Sequence, residues 1–131
     1  MRYVTPIGRV AFSLIFMMTP ISHFTAGAIG YAGQAGVPMP GLLVPFSGLL
    51  ACAGGLSVAL GYKARIGAWL LVLFLVPVTF MMHAFWSVAD PMMRQLQMAM
   101  FMKNISMLGG ALLITQFGAG AMSLDARRSA V

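Results

Sequence analysis

Four long apolar segments dominate the chain, and the shorter stretches between them carry most of its polar residues. Each segment is close to the roughly 20 residues that an α-helix needs to cross a bilayer. We therefore predict an all-α fold, an integral membrane four-helix bundle built as a single domain over residues 1–131. The predicted spanning helices cover about residues 7–24, 42–62, 66–86 and 98–117.

Composition excludes the soluble classes of protein. Hydrophobic residues make up 60% of the 131-residue chain and charged residues only 8%, whereas an ordinary soluble domain is about 25% charged. A chain this short has too much surface for its volume to bury so much apolar area in water. Disordered chains are polar and poor in aromatic residues, so they are excluded as well. An integral membrane protein is the class that remains.

The three connections between the segments differ in kind. The first, residues 25–41, carries no charge. We predict a short interfacial helix over 26–35 that ends before the two prolines, because proline disfavours helix at the preceding residue. The second connection, residues 61–65, is a tight charged turn. The third contains Asp90 and Pro91, which are typical of a helix that starts with a capping aspartate and a first-turn proline.

The basic residues predict the orientation of the chain. The chain has eight Lys and Arg residues and two Asp and Glu residues, which gives a net charge of +6. They are scattered, without a basic stripe or reading motif, so we expect no nucleic-acid partner. With four crossings, Arg94 and Lys103 fall on one side and six basic residues on the other, which predicts that both termini are cytoplasmic. The six are Arg2, Arg9, Lys63, Arg65, Arg127 and Arg128.

A cleaved signal peptide is the alternative for the first segment. Arg2 and Arg9 precede its apolar run, and Ala26-Gly27-Ala28 fits a small-x-small cleavage site. The run is long for a signal peptide and contains Pro20. We therefore expect the first segment to be retained as a spanning helix.

Small residues recur on the second and fourth segments at the spacing that lets helices approach. Lipid is as apolar as the helices, so close packing of small residues takes the place of the hydrophobic effect. The same faces are candidates for contact with partner helices or with a second copy of the chain in a homo-oligomer. These residues are Gly48, Ala51, Cys52, Gly55 and Ala59 on the second segment and Ser106 and Gly110 on the fourth.

A few polar residues within the segments are the candidate functional site, because polar groups are costly inside a bilayer. In the predicted topology all of them lie towards the non-cytoplasmic side. Thr79, His83 and Trp86 are spaced to share one helical face. If that face meets the fourth segment, His83 and Lys103 line an outward-opening pocket that binds a quinone carbonyl or passes protons to it. The candidate cofactor-binding residues are His23, His83, Lys103 and Asn104.

Each candidate also has a structural interpretation. His83 can hydrogen-bond a neighbouring helix, Lys103 can extend its ammonium to the headgroups, and His23 can be an interfacial residue. A haem bound by both histidines has no supporting motif. No Cys or His cluster has metal-site spacing, so we expect no metal. No nucleophile–base pair, phosphate loop or paired carboxylate supports hydrolysis or phosphoryl transfer.

Several motifs occur in the order found in one known family. Gly36-Val37-Pro38 lies in the first loop, and His83-Ala84-Phe85-Trp86 ends the third segment. Lys103-Asn104 is followed after four residues by Gly109-Gly110. With this ordered set, the chain resembles the DoxX family of small bacterial four-helix membrane proteins over about residues 7–125. One departure is Pro20-Ile21-Ser22-His23, where many relatives have Gly-x-x-Lys.

The resemblance implies a redox setting in the bacterial inner membrane. The family is named for a subunit of a thiosulfate:quinone oxidoreductase, and other members are similar to membrane partners in oxidative-stress complexes. We therefore expect a quinone-linked membrane subunit of an oxidoreductase complex, with quinone as the cofactor and a partner redox protein. The alternative is a non-catalytic membrane scaffold or assembly factor, and a small-solute carrier is a third class. The sequence leaves open whether the protein is an enzyme.

Reporter fusions test the predicted topology. A reporter that is active in the cytoplasm should work when fused after Val131, and a reporter that is active outside it should work near Gln34, because the basic residues hold both termini inside. A periplasmic carboxyl terminus would contradict the orientation.

Overall fold

The computed structural model describes residues 1–130 of the chain, and every regular element within them is helical. The helices are α1 (Val4–Met17), α2 (Thr19–His23), α3 (Ala26–Gln34), α4 (Pro40–Leu60), α5 (Ala64–Met82), α6 (Pro91–Phe117) and α7 (Leu124–Arg128), with a 3-10 turn at Phe85–Ser87 between α5 and α6.

Four helical stretches of the described residues are long and apolar enough to cross a membrane, which confirms the all-α four-helix prediction. The short helix predicted over 26–35 also forms, as α3, and Thr25 caps it by accepting a hydrogen bond from the backbone N–H of Ala28. The four stretches are Val4–His23, Pro40–Leu60, Ala64–Ser87 and Pro91–Phe117.

The first span is broken between α1 and α2. Met18 separates the two helices, and Pro20 follows it within the first turn of α2. Proline carries no N–H, so the helical hydrogen bond from residue 20 to the carbonyl of Phe16 cannot form. The hydroxyl of Thr19 donates to that carbonyl oxygen instead. The break reorients the last turn of the span, which ends at His23.

Within the third span, the α-helix ends earlier than the predicted boundary at about residue 86. α5 stops at Met82, and His83 leaves the helical conformation with a φ of −123°. Phe85–Ser87 then form the separate 3-10 turn. Thr79, His83 and Trp86 therefore do not share one face of a continuous helix, and that prediction was wrong.

The fourth span begins earlier than predicted, at Pro91 instead of about residue 98. A carboxylate oxygen of Asp90 accepts a hydrogen bond from the backbone N–H of Met93 at 2.9 Å and so caps the helix. Hydropathy misses this turn because it contains polar residues, including Arg94. The Asp90-Pro91 start itself is confirmed.

The core forms where small residues bring the backbones of α4, α5 and α1 together. A side chain at Gly54 of α4 would come within 2.8 Å of the carbonyl oxygen of Gly67 on α5, and one at Gly55 within 3.2 Å of the carbonyl oxygen of Ser13 on α1. Around these contacts the apolar side chains are buried, among them Phe16, Val58, Leu71 and Leu75.

The two chain ends meet at one end of the bundle, where residues 118–128 form a segment that we call the tail. Arg9 of α1 is buried, and its guanidinium donates to the carbonyl oxygens of Ala119 and Met122, the latter at 3.0 Å. The carboxylate of Asp125 accepts from the backbone N–H groups of Lys63 and Ala64 at 2.7 and 3.0 Å and so caps α5. The termini and the α4–α5 turn therefore lie on the same side of the bundle.

Substitution of Arg9 should destabilise the protein by releasing the tail. Arg9→Met keeps the apolar stem but removes a charged donor from buried carbonyl oxygens, and each such bond contributes about 1.5–3 kcal/mol. We expect a clear fall in the melting temperature in detergent, together with faster proteolysis of the tail. Arg2→Met is the matched control, because Arg2 is exposed and its one side-chain hydrogen bond among residues 1–130 goes to Tyr3. Equal melting temperatures for the two variants would contradict this role.

Candidate functional site

A largely apolar cavity of about 400 Å³ lies between α4 and α5, in the half of the bundle away from the tail. Its volume is within the range of roughly 300–1,000 Å³ that is typical of small-molecule sites. α2, α3 and the loop before α4 close it through His23, Ala32, Val37 and Pro38. The long walls consist of Leu43, Val44, Phe46, Ser47 and Leu50 from α4 and Leu73, Phe74, Pro77, Val78, Met81 and Met82 from α5.

His23 reaches this cavity because α2 packs directly on α4. A side chain at Gly48 would come within 2.7 Å of the Cβ atom of His23, so only glycine allows the two helices this approach. The imidazole is half-buried, and its centroid lies 5.9 Å from that of the Phe74 ring. Its Nδ1 atom is 3.0 Å from the carbonyl oxygen of Thr19 and 3.3 Å from the hydroxyl of Ser22.

His83 belongs to a separate group of polar side chains that joins α3, α5 and α6. Its Nδ1 atom lies 2.8 Å from the Oε1 atom of Gln97 on α6. The amide nitrogen of Gln97 donates to the hydroxyl of Tyr31 at 3.3 Å, and that hydroxyl donates to the carbonyl oxygen of Met82 at 3.1 Å. This network fixes α3 to the end of α5, next to the cavity wall that Met82 contributes.

Neither Gln97 nor Tyr31 was among the site residues predicted from the sequence. The available signal for Gln97 was a polar side chain one residue before the predicted fourth segment, and for Tyr31 an aromatic residue in an uncharged interfacial helix. Neither signal indicates a partner, because the pairing depends on where α5 ends and where α6 begins.

Lys103 and Asn104 point in different directions although they are neighbours. Consecutive residues of a helix are rotated by about 100°, so Asn104 is buried within the bundle while Lys103 is exposed on its outer surface. The ammonium of Lys103 lies 3.5 Å from the sulfur of Met100. Of the four predicted ligand residues, the cavity contains His23 alone, and His83 and Lys103 do not form its wall together. Their role in binding a cofactor stays a prediction.

The described residues contain no cluster of three or more His, Cys, Asp or Glu side chains that could hold a metal ion. Cys52 is a free thiol packed near the carbonyl oxygen of Met17, at 3.7 Å. Among residues 1–130 the cavity with His23 is therefore the arrangement best suited to a ligand, and it suits an apolar one.

Two family models match the chain over more than half of its length. The DoxX model matches residues 4–84, which include the helices and the loop that enclose the cavity. The SURF4 family model matches residues 46–130, from the second turn of α4 through the tail. No solved structure matches the chain significantly.

Curated relatives are similar over most of this chain. The inner membrane protein YqjF of Escherichia coli is 32% identical over 116 residues, which are 83% of this chain and 85% of that protein. The inner membrane protein YphA of the same organism is 28% identical over 123 residues, 92% of this chain and 87% of that protein. The Surfeit locus protein 4 homolog of Schizosaccharomyces pombe is 32% identical over 127 residues, 96% of this chain but 38% of that protein.

The resemblance inferred from the ordered motifs is thus confirmed by both the DoxX model and the relatives named as inner membrane proteins. The four candidate spans agree with that location. The chain therefore belongs to the DoxX family and, over its carboxy-terminal part, to the SURF4 family, and it is a multi-pass protein of the bacterial inner membrane.

Proposed function

We propose that the protein binds a membrane quinone in the cavity between α4 and α5 and serves as a quinone-linked membrane subunit of an oxidoreductase complex. The observation that carries the proposal is the apolar cavity with His23 on its wall. Apolar walls with a few polar groups are the usual composition of a small-molecule site. In this complex a partner redox protein exchanges electrons with the quinone, in keeping with the setting for which the DoxX family is named.

The cavity is accessible to a ligand that is dissolved in the bilayer. Phe46 and Leu73 line it, yet they are 57% and 62% exposed on the outer surface of the bundle. In a membrane such exposed apolar side chains face lipid tails, so the cavity opens sideways into the hydrocarbon. A quinone ring can then occupy the space beside Phe74 and Pro77 while its isoprenoid tail extends into lipid.

We also propose that the termini are cytoplasmic, as the basic residues predict. The cavity lies away from the tail, so in this orientation it belongs to the outer half of the membrane. A quinone bound there exchanges electrons near the periplasmic face, where a partner protein reaches it through the loops that contain α3 and the 3-10 turn.

Filling the cavity tests this function. Ser47→Phe places a ring inside the cavity, and Ser106→Phe places the same ring on the exposed surface of α6. We expect Ser47→Phe to weaken the binding of a decyl-substituted benzoquinone to the purified protein by at least about tenfold, which corresponds to about 1.4 kcal/mol. Ser106→Phe should bind it as the unsubstituted protein does. Equal binding by both variants, with equal melting temperatures, would rule out this cavity as the quinone site.

A second candidate function, a scaffold for partner membrane proteins, rests on α6. Of the 27 residues of this helix, only Asn104 and Ala111 are buried, and Lys103 is exposed within the span. A charged side chain inside a spanning segment is costly without a partner. The chain has two acidic residues, and both Asp90 and Asp125 already cap helices. Within residues 1–130 a second copy of the chain would have to share one of these capping carboxylates with the ammonium, whereas a different protein can supply a carboxylate that caps no helix.

Charge substitution at Lys103 tests the scaffold. If a partner helix pairs with the ammonium, Lys103→Leu should abolish recovery of a stoichiometric partner from native membranes, whereas Lys103→Arg should retain it because the positive charge remains. The measurement is the native mass spectrum of each purified variant. Recovery of the same complex with Lys103→Leu would contradict this pairing.

A further inference from the structure

The polar groups on the cavity wall are hydrogen-bond acceptors, and this restricts the ligand. His23 is the first of them. The carbonyl oxygen of Thr19, 3.0 Å from its Nδ1 atom, can only accept, so we assign the imidazole hydrogen to Nδ1. In the neutral ring Nε2 then carries a lone pair. This atom has no hydrogen-bond partner among residues 1–130, which leaves it available as an acceptor.

Ser47 is the second polar side chain of the wall. Its hydroxyl donates to the carbonyl oxygen of Val44, one helical turn back, at 2.7 Å. A hydroxyl has a single hydrogen, so this bond occupies the donor and leaves lone pairs on the oxygen. Ser47 therefore also presents an acceptor to the cavity.

The backbone adds no donor to the wall. The N–H of Val37 donates to the carbonyl oxygen of Ala32 at 3.0 Å, and the N–H of Leu43 to that of Met39 at 3.0 Å. Pro38 and Pro77 have no N–H at all. The other wall side chains in the described part of the protein are hydrocarbons and the weakly accepting thioethers of methionine. None of the wall side chains carries a formal charge when His23 is neutral.

We propose that the cavity selects an uncharged apolar molecule that brings its own hydroxyl donors, and thus the hydroquinone in preference to the oxidised quinone. This inference rests on the proposed quinone-binding function and specifies which redox form is bound. A hydroquinone donates one O–H to Nε2 of His23 or to Oγ of Ser47. An oxidised quinone offers only carbonyl oxygens, which are acceptors. Since the polar atoms of the cavity wall are acceptors too, those carbonyl oxygens are left without a hydrogen bond.

Three ligands of nearly the same shape separate these possibilities. They are a decyl-substituted benzoquinone, its hydroquinone, and the dimethyl ether of that hydroquinone, in which both donors are blocked. Calorimetric titration is carried out anaerobically in detergent at about pH 8, where an ordinary imidazole is neutral. We expect the hydroquinone to bind about tenfold more tightly than the quinone or the ether, the effect of about one net hydrogen bond.

Two variants locate the preference. His23→Phe and Ser47→Ala each remove one acceptor while keeping the cavity apolar. Each should reduce the ratio of the dissociation constant of the quinone to that of the hydroquinone. Ser106→Ala is the matched control on the surface of α6 and should leave the ratio unchanged. The three-ligand comparison on the unsubstituted protein decides the proposal even if a variant fails to fold.

The outcomes distinguish this inference from the function on which it rests. Equal or tighter binding of the oxidised quinone would overturn the preference for donors while leaving the cavity as a quinone site. Equal binding of the hydroquinone and its ether would show that burial of the ring alone drives binding. That result would also overturn the preference for donors. Failure of all three ligands to bind would overturn the proposed function itself.

Discussion

Close approach of α4 to its neighbours is the constraint on which the rest of this bundle depends. In lipid there is no hydrophobic driving force for the association of apolar helices, so van der Waals packing between backbones has to hold them together. Gly54 and Gly67 let α4 meet α5, and Gly55 lets it meet α1. Gly48 lets α2 lie against the same helix. α6 has only two buried residues, and it remains at the edge of the bundle with most of its surface towards lipid.

The two ends of the bundle are stabilised by different means. At the tail end, Arg9 and Asp125 hold the chain with hydrogen bonds to backbone groups. At the other end the helices separate around a cavity, and side chains of the Tyr31–Gln97–His83 network join the elements instead. A ligand can therefore occupy one end without disturbing the packed glycine contacts in the middle of α4.

The cavity can interact with a ligand in few ways, and its apolar walls and its few polar atoms restrict which ligands fit. Its walls exclude charged ligands through their apolar side chains, and its polar atoms accept hydrogen bonds without donating them. Such a site suits a hydrophobic alcohol or hydroquinone more than an anion or a phospholipid headgroup. Its lateral opening past Phe46 and Leu73 is consistent with a ligand that arrives from the bilayer and keeps its tail there.

The sequence by itself determined the four spans, the short helix of the first connection and the Asp90-Pro91 helix start, because hydropathy and capping depend on residues close together in the chain. It also placed His23 among the candidate ligands. Only the tertiary structure decided which polar residues meet. The end of α5 at Met82 turns His83 towards Gln97, and the rotation of α6 places Asn104 inside and Lys103 outside. Arg9, interpreted from the sequence as a marker of orientation and as part of a possible signal peptide, lies buried beneath the tail. Helix ends and rotations depend on packing between segments that are distant in the chain. The periodicity of one segment does not reveal that packing.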